Sequence, residues 1–116
     1  MTAPNIVNVT TITGKTSVLI ANSTPANVVA NPASSNNVLK INTVTVANYS
    51  NATITANVDI FRSSTSYLIV GNILVPANST MVVSGKDTAF YLEEGDGLRA
   101  ATSNTVHVIS SYEIIS

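Results

Sequence analysis

Strict alternation of apolar and polar residues is the strongest local pattern in this chain. In residues 53–61 every second residue is apolar, and threonine, asparagine and aspartate fill the positions between them. Successive side chains on a β-strand point to opposite faces, so this pattern predicts a strand with one buried and one solvated side. Phe61 interrupts the polar series at its end and is therefore a candidate contact residue.

A second long strand is predicted over residues 38–47, directly before a turn-forming segment. The segment 48–51 has the sequence Asn-Tyr-Ser-Asn. Asparagine and serine favour turns because their side chains bond to nearby backbone, and asparagine tolerates a positive φ. We therefore expect residues 38–47 and 53–61 to form a long hairpin.

Shorter strands separated by turn residues are predicted along the rest of the chain. They cover residues 6–12, 17–21, 28–30, 67–75, 80–84, 88–92, 98–102 and 105–114. Gly71 and Asn72 divide the segment 67–75, which indicates two short strands or one bulged strand. The last two strands are expected to close as a terminal hairpin. No stretch has the period of an amphipathic helix.

Eight to ten short antiparallel strands at about ten-residue spacing predict an all-β fold, a single-domain β-sandwich of jelly-roll or immunoglobulin-like type. Residues 1–37 contain one charged residue, Lys15, and three of the four prolines. This composition predicts an N-terminal arm with strands that is exchanged with, or packed on, a neighbouring copy. Residues 38–116 then form the core of the sandwich, within one domain overall.

Charge is scarce in this chain. Only 11 of 116 residues are charged, five basic and six acidic, whereas Thr, Asn and Ser together number 43. Soluble monomers normally carry charge on about a quarter of their residues, so this composition indicates packing against copies of the chain or against a large scaffold. It also predicts no nucleic-acid partner and no membrane partner, because it offers no basic patch.

The sequence offers little material for catalysis. It has no cysteine and one histidine, His107, so it lacks the partners of a catalytic triad or of a His-metal site. We therefore predict that the protein is not an enzyme and has no cofactor and no metal. The acidic segment 93–97 is interpreted as a turn kept in solvent by its charge, with a cation site as the weaker alternative. Arg99 is expected to pair with Glu93 or Asp96 across a hairpin.

Four residues are the candidate interaction residues: Tyr49, Phe61, His107 and Tyr112. The aromatic residues are interpreted as packing and interface residues. His107 is a candidate for a pH-sensitive contact at a subunit boundary. At the tip of the predicted hairpin, Tyr49 with Asn48 and Asn51 is either an exposed turn or a small carbohydrate site.

Several segments resemble small all-β virion structural proteins of tailed bacteriophages, particularly marine phages. The resemblance is carried by Val-Pro-Ala-Asn-Ser-Thr at 75–80, Tyr-Leu-Glu-Glu-Gly-Asp-Gly-Leu-Arg-Ala at 91–100, Thr-Ser-Asn-Thr-Val-His-Val at 102–108 and Ser-Tyr-Glu-Ile at 111–114. Residues 3–16 also resemble the beginning of such proteins. The family has no catalytic residues to carry over to this chain.

The resemblance implies a bacteriophage virion component, made in the host bacterial cytoplasm, of the capsid decoration or cement type. Such a protein binds the outer surface of the major capsid protein lattice and stabilises the head. Symmetry axes on a shell favour closed cyclic oligomers, so a homotrimer is expected. The alternative is a tail, neck or fibre-associated protein with a contact to host carbohydrate.

Overall fold

The computed structural model describes residues 11–116, apart from the side chain of Lys86. These described residues form nine β-strands and one 3-10 turn, Lys86–Thr88. The strands are β1 (Ile12–Ala21), β2 (Ala26–Ala30), β3 (Val38–Asn48), β4 (Ile54–Arg62), β5 (Thr65–Val75), β6 (Ser79–Ser84), β7 (Phe90–Leu92), β8 (Gly97–Thr102) and β9 (Val106–Ile115). Most of the strand predicted over residues 6–12 lies outside the described residues.

The strands form two antiparallel sheets that pack face to face. The β1 sheet has the order β1-β9-β3-β6, and β7 pairs with β3 beyond the end of β6. The β2 sheet has the order β2-β8-β4-β5. The first and last strands are neighbours, and each sheet draws strands from the whole length of the chain. This is the strand order of a jelly roll, so the prediction of an all-β sandwich of jelly-roll or immunoglobulin-like type is confirmed.

The core lies between the sheets and consists mainly of β-branched residues and leucine. Its fully buried large side chains include Ile41, Val44 and Val46 of β3 and Leu98 of β8. In β4 the alternation found in the sequence is reproduced from Ile54 to Val58, where Ile54, Ala56 and Val58 are buried and the residues between them are half-exposed. Asp59, which the pattern places on the solvated side, is buried because it pairs with Arg99. β-Branched residues suit this position because their stiff side chains pack well on a pleated surface.

The N-terminal strands belong to both sheets. β1 pairs with β9 over ten residues, from Ile12 to Ala21, and β2 pairs with β8. Gly14 and Lys15, expected to separate two strands, lie within β1. Ala21, Val28 and Val29 enter the core. Exchange of the segment 1–37 with a neighbouring copy stays a prediction.

Both predicted hairpins are wrong. β3 lies in the β1 sheet and β4 in the β2 sheet, so residues 48–53 cross from one sheet to the other. β8 and β9 do not form a hairpin either, because β8 pairs with β4 in the β2 sheet and β9 pairs with β3 in the β1 sheet. The alternating pattern defines which face of a strand is buried, but a strand of either sheet shows the same alternation.

The hairpin that does form joins β4 to β5 through Ser63 and Ser64. Arg62 pairs with Thr65, and both serines have positive φ, 52° and 60°. Two central residues with positive φ define a type I′ turn, which matches the twist of the flanking strands. Asn-Gly is the usual sequence for this turn. Two serines are not typical of it, so the sequence did not predict this hairpin.

β5 is one bulged strand, in agreement with one of the two predicted alternatives. The register with β4 shifts at two places, and Asn72 has a positive φ of 50°. The side chain of Asn57 accepts a hydrogen bond from the backbone N–H of Asn72 at 2.7 Å. The bulge is therefore held by a specific contact from the neighbouring strand.

Ser110 lies in the core with no exposed surface, and its hydroxyl makes no hydrogen bond within the described residues. An unpaired buried hydroxyl costs free energy. We expect Ser110→Ala to raise the free energy of unfolding by about 1 kcal/mol, measured by urea denaturation.

Ser84 is the matched control, because it is also buried but its hydroxyl lies 3.1 Å from the carbonyl oxygen of Thr88. Ser84→Ala is expected to lower the free energy of unfolding by about 1 kcal/mol. Equal effects of the two substitutions contradict this assignment.

Candidate functional site

The outer surface of the β1 sheet carries a neutral patch that crosses the sheet in three rows. The register places Thr16, Ser111 and Thr43 in one row, Val18, Ile109, Thr45 and Val82 in the next, and Ile20, His107, Ala47 and Thr80 in the third. These 11 residues are called the neutral face. They point away from the core because their neighbours along each strand are the residues that enter it.

Three large apolar side chains of the neutral face are exposed to solvent. Val18 and Ile20 are each 63% exposed, and Val82 is 62% exposed. The nearest charged positions on this side of the sheet are Glu113 and Lys40, which lie opposite one another in the register, in the row next to Ser111. The neutral face therefore offers apolar surface and hydroxyl groups without charge.

The size of the neutral face limits what it binds. With strands about 4.8 Å apart and a rise of about 3.3 Å per residue, the three rows cover on the order of 300–400 Å². A stable protein interface of standard size buries about 800 Å² on each partner. This face alone is therefore too small for tight one-to-one binding, but it suits a contact that is repeated over many copies.

Two of the four candidate interaction residues meet at one end of the neutral face. The rings of Tyr49 and His107 are in contact and tilted, with centroids 4.6 Å apart and an interplanar angle of 35°. Tyr49 remains 54% exposed, and His107 is half-buried. Aromatic rings are typical anchors of interfaces because they supply much contact area at little cost in conformational entropy.

The position of Tyr49 is fixed by Asn48, which is buried beneath it. The Asn48 amide donates to the carbonyl oxygens of Ala52, Val75 and Pro76 at 2.8–3.1 Å. Its Oδ1 accepts from the N–H of Ser50 at 3.0 Å and from the Ser50 hydroxyl at 2.7 Å. Because these contacts satisfy the Asn48 side chain, it ties down the turn and is not available to a ligand.

A hollow of about 270 Å³ lies beside Tyr49. It is lined by Ala47, Asn48, Tyr49, Asn78, Ser79 and Thr80. Asn51, the third residue of the predicted carbohydrate site, accepts a hydrogen bond from the amide of Asn78 at 3.4 Å. The lining groups are neutral donors and acceptors next to one exposed aromatic ring.

The acidic turn that follows β7 is only partly kept in solvent: Glu93 is exposed as its sequence predicts, but Asp96 is not. Asp96 is buried, and its two oxygens accept from Nε and Nη2 of Arg62 at 2.9 and 2.5 Å. Glu93 also lies 2.9 Å from Arg62 and is largely exposed. The hydrogen bonds and charge of Asp96 raise the pKa of Arg62 above the ordinary value of a guanidinium group.

This turn also holds the loop that follows β2. The backbone N–H of Asn31 donates to the carbonyl oxygen of Asp96, and that of Gly95 donates to the carbonyl oxygen of Asn31, both at 2.9 Å. Gly95 takes a φ of 88°, which glycine adopts without strain. The cluster of Arg62 with the acidic turn is therefore structural.

Arg99 pairs with Asp59 rather than with the acidic turn. Its Nη2 lies 2.8 Å from the Asp59 carboxylate, which also accepts a hydrogen bond from the hydroxyl of Ser66. The guanidinium group lies over the ring of Phe61, 3.9 Å from its centroid, which is a cation–π contact. Phe61 therefore lies on the β2 sheet, away from Tyr49 and His107.

Tyr112, the fourth candidate, is half-buried and packs against the core from β9. The structure therefore brings together only Tyr49 and His107. The candidate residues predicted from the sequence do not include Val18 and Ile20. The run Val-Leu-Ile at 18–20 indicates them, because it places apolar residues on both faces of a strand.

Within residues 11–116, no group of three or more histidine, cysteine or acidic side chains is arranged to hold a metal ion. The same residues contain no helix that is long and apolar enough to cross a membrane. The predictions of no enzyme activity and no membrane partner stay predictions.

The contrast between Asp96 and Glu93 gives a direct test of the Arg62 cluster. Asp96→Asn removes the charge of a buried partner, so we expect the free energy of unfolding to fall by about 2–4 kcal/mol. Glu93→Gln removes an exposed charge from the same arginine and is expected to cost less than about 1 kcal/mol. Urea denaturation of both variants measures the difference, and equal losses contradict the assignment.

Comparison of the chain with protein-family models and with curated proteins finds no match. Among solved structures, the chain is similar to one from Bacillus endospore appendages, described as a novel family of disulfide-linked pili. The TM-score is 0.51 and the identity 13%, over 90% of this chain and 87% of the other. At this identity the likeness shows a shared β-rich fold.

Proposed function

We propose that this protein is a non-catalytic structural subunit of a bacteriophage virion, of the capsid decoration or cement type. It binds the outer surface of the major capsid protein lattice and stabilises the head. The observation that carries the proposal is the neutral face, where Val18 and Ile20 are exposed on a chain with few charges. Exposed apolar surface without charge is typical of a surface that another protein covers.

The area of the neutral face supports a lattice as the partner. A contact of on the order of 300–400 Å² is weak when made once. On a shell, the same contact is made by every copy, and copies that also touch one another raise the effective concentration of each binding group. Threonine and serine around the apolar side chains add hydrogen bonds without the desolvation cost of buried charge.

The partners in this proposal are the major capsid protein and further copies of the chain. A homotrimer is the favoured state because closed rings fit the symmetry axes of a shell. The similar Bacillus structure belongs to pili, which are also assemblies of many copies. This chain has no cysteine, so any contact between its copies uses packing and hydrogen bonds in place of disulfides.

Binding to heads tests the proposal. Expanded heads prepared without this protein are mixed with the purified chain, and bound protein is measured by co-sedimentation. We expect saturable binding, and we expect the double variant Val18→Lys/Ile20→Lys to bind at least tenfold more weakly. Lysine at these exposed positions leaves the fold intact but places charge in the contact.

Leu68→Lys/Leu74→Lys is the matched control, because these leucines are 64% and 63% exposed on the other sheet. This variant is expected to bind within about twofold of the original chain, since its changes lie outside the contact. Absence of binding by the unaltered chain rejects the capsid role, and equal losses in both variants reject the neutral face as the contact.

The hollow beside Tyr49 favours a second candidate, a tail, neck or fibre-associated protein that contacts host carbohydrate. A neutral sugar offers hydroxyl groups to amides such as Asn78 and an apolar ring face to Tyr49. The contacts of Asn48 hold Tyr49 in place before a ligand arrives, which lowers the entropic cost of binding.

Titration with neutral monosaccharides, followed by amide NMR shifts, distinguishes this candidate. We expect shifts at residues 47–51 and 78–80, with millimolar affinity, and loss of these shifts in Tyr49→Ala. Tyr91→Ala is the control, because Tyr91 is 41% exposed at the far end of β3. Shifts that are absent, or unchanged in Tyr49→Ala, reject the carbohydrate site.

A further inference from the structure

The edge of the β1 sheet formed by β1 is unusually regular. β1 pairs with β9 at ten consecutive positions without a register shift. Among residues 11–116 no strand pairs with its other edge. Half of the backbone N–H and C=O groups of an edge strand point away from the sheet and can bond to a further strand.

The longer edge strands elsewhere in the sandwich are interrupted. The register between β5 and β4 shifts at two places. The register between β2 and β8 shifts at one place, as does the register between β6 and β3. Bulges of this kind protect an edge by twisting it away from other chains. β1 has no bulge and no proline, and it has one charged residue, Lys15.

We infer that β1 pairs with β1 of a second copy, in antiparallel orientation about a two-fold axis at Thr16. The partner must be an extended strand, because the free groups are those of a strand backbone. The inference goes beyond the proposed homotrimer, because a contact about a two-fold axis joins two chains and does not by itself close a ring of three. It takes from the proposed function only that the chain assembles with further copies. The pairing does not depend on which assembly the chain joins.

A second copy suits this edge because the sequence of β1 is compatible with itself in this register. Ile12 lies opposite Ile20, Gly14 opposite Val18, and Thr16 opposite Thr16 of the copy. Apolar and threonine pairs across strands are favourable, and no like charges are directly opposed. The formal net charge of −1 leaves little repulsion between copies.

The pairing also covers surface that the single chain leaves exposed. Ile12, Val18 and Ile20 are 55–63% exposed and lie along the edge that the copy would extend. The two β1 sheets become one sheet that is eight strands wide, in which the two neutral faces lie on the same side and meet at the row of Thr16. Nine residues of each copy pair across the junction, where Ile12 of one copy packs beside Ile20 of the other.

Single-cysteine cross-linking tests this geometry without background, because the chain contains no cysteine. In Thr16→Cys the two sulfur atoms lie opposite each other at the axis, within the reach of a disulfide. We expect Thr16→Cys to form a covalent dimer under mild oxidation at least tenfold faster than Thr80→Cys. Thr80 is the matched control, since it is an exposed threonine on the edge strand β6.

A charge substitution gives an independent measure. Thr16→Lys places two ammonium groups directly opposite each other, so we expect the dimer dissociation constant from sedimentation equilibrium to rise at least tenfold. Thr80→Lys is expected to leave it within about twofold. Equal cross-linking rates for the two cysteine variants overturn the inference, as does a Thr16→Lys variant that dimerises like the original chain.

Hydrogen exchange of the unaltered chain identifies the occupant of the edge. Protection of the outward β1 amides that increases with protein concentration supports pairing between copies. Protection that is independent of concentration in a monomer assigns the edge to another segment of the same chain and overturns the inference. Head binding is measured separately, so a failure here leaves the test of the capsid contact intact.

Discussion

Crossing between two sheets is the constraint on which this structure depends. Six of the eight connections between the nine strands of residues 11–116 leave one sheet and enter the other, so the backbone at these corners has no neighbouring strand to bond. At two of these corners a buried asparagine side chain bonds the backbone. Asn31 donates to the carbonyl oxygens of Asn37 and Leu92, and Asn48 binds three carbonyl oxygens at the opposite crossing. A buried amide with all its bonds made fixes the path of the chain.

The same contacts also hold some exposed residues in a fixed position. Asn48 holds the turn that presents Tyr49 over His107, so an exposed ring stands on a rigid base. Asp96, bound by Arg62, joins the turn before β8 to the loop after β2. Both ends of the sandwich are therefore held by polar contacts, and the apolar core between them contains few polar groups.

The few charges of this chain are concentrated. Five of its 11 charged residues belong to the two ion-pair clusters centred on Arg62 and Arg99, which lie in or beside the β2 sheet. The β1 sheet is left with a neutral outer face and an edge without bulges. A chain built in this way has less of the charge that keeps monomers apart, and its neutral face costs little free energy to desolvate.

The sequence by itself determined that the fold is all-β and where most of the strands lie. The predicted bounds of β3 and β4 fall within one residue of the observed ends, because strand-forming residues and the turn residues between them are local signals. Only the tertiary structure decided which sheet each strand joins, that Asp96 is buried, and that Arg99 pairs with Asp59. These outcomes depend on residues 34 to 103 positions apart in the chain, from the pair Arg62 and Asp96 to the pairing of β1 with β9. An alternating pattern is the same whichever neighbour a strand meets.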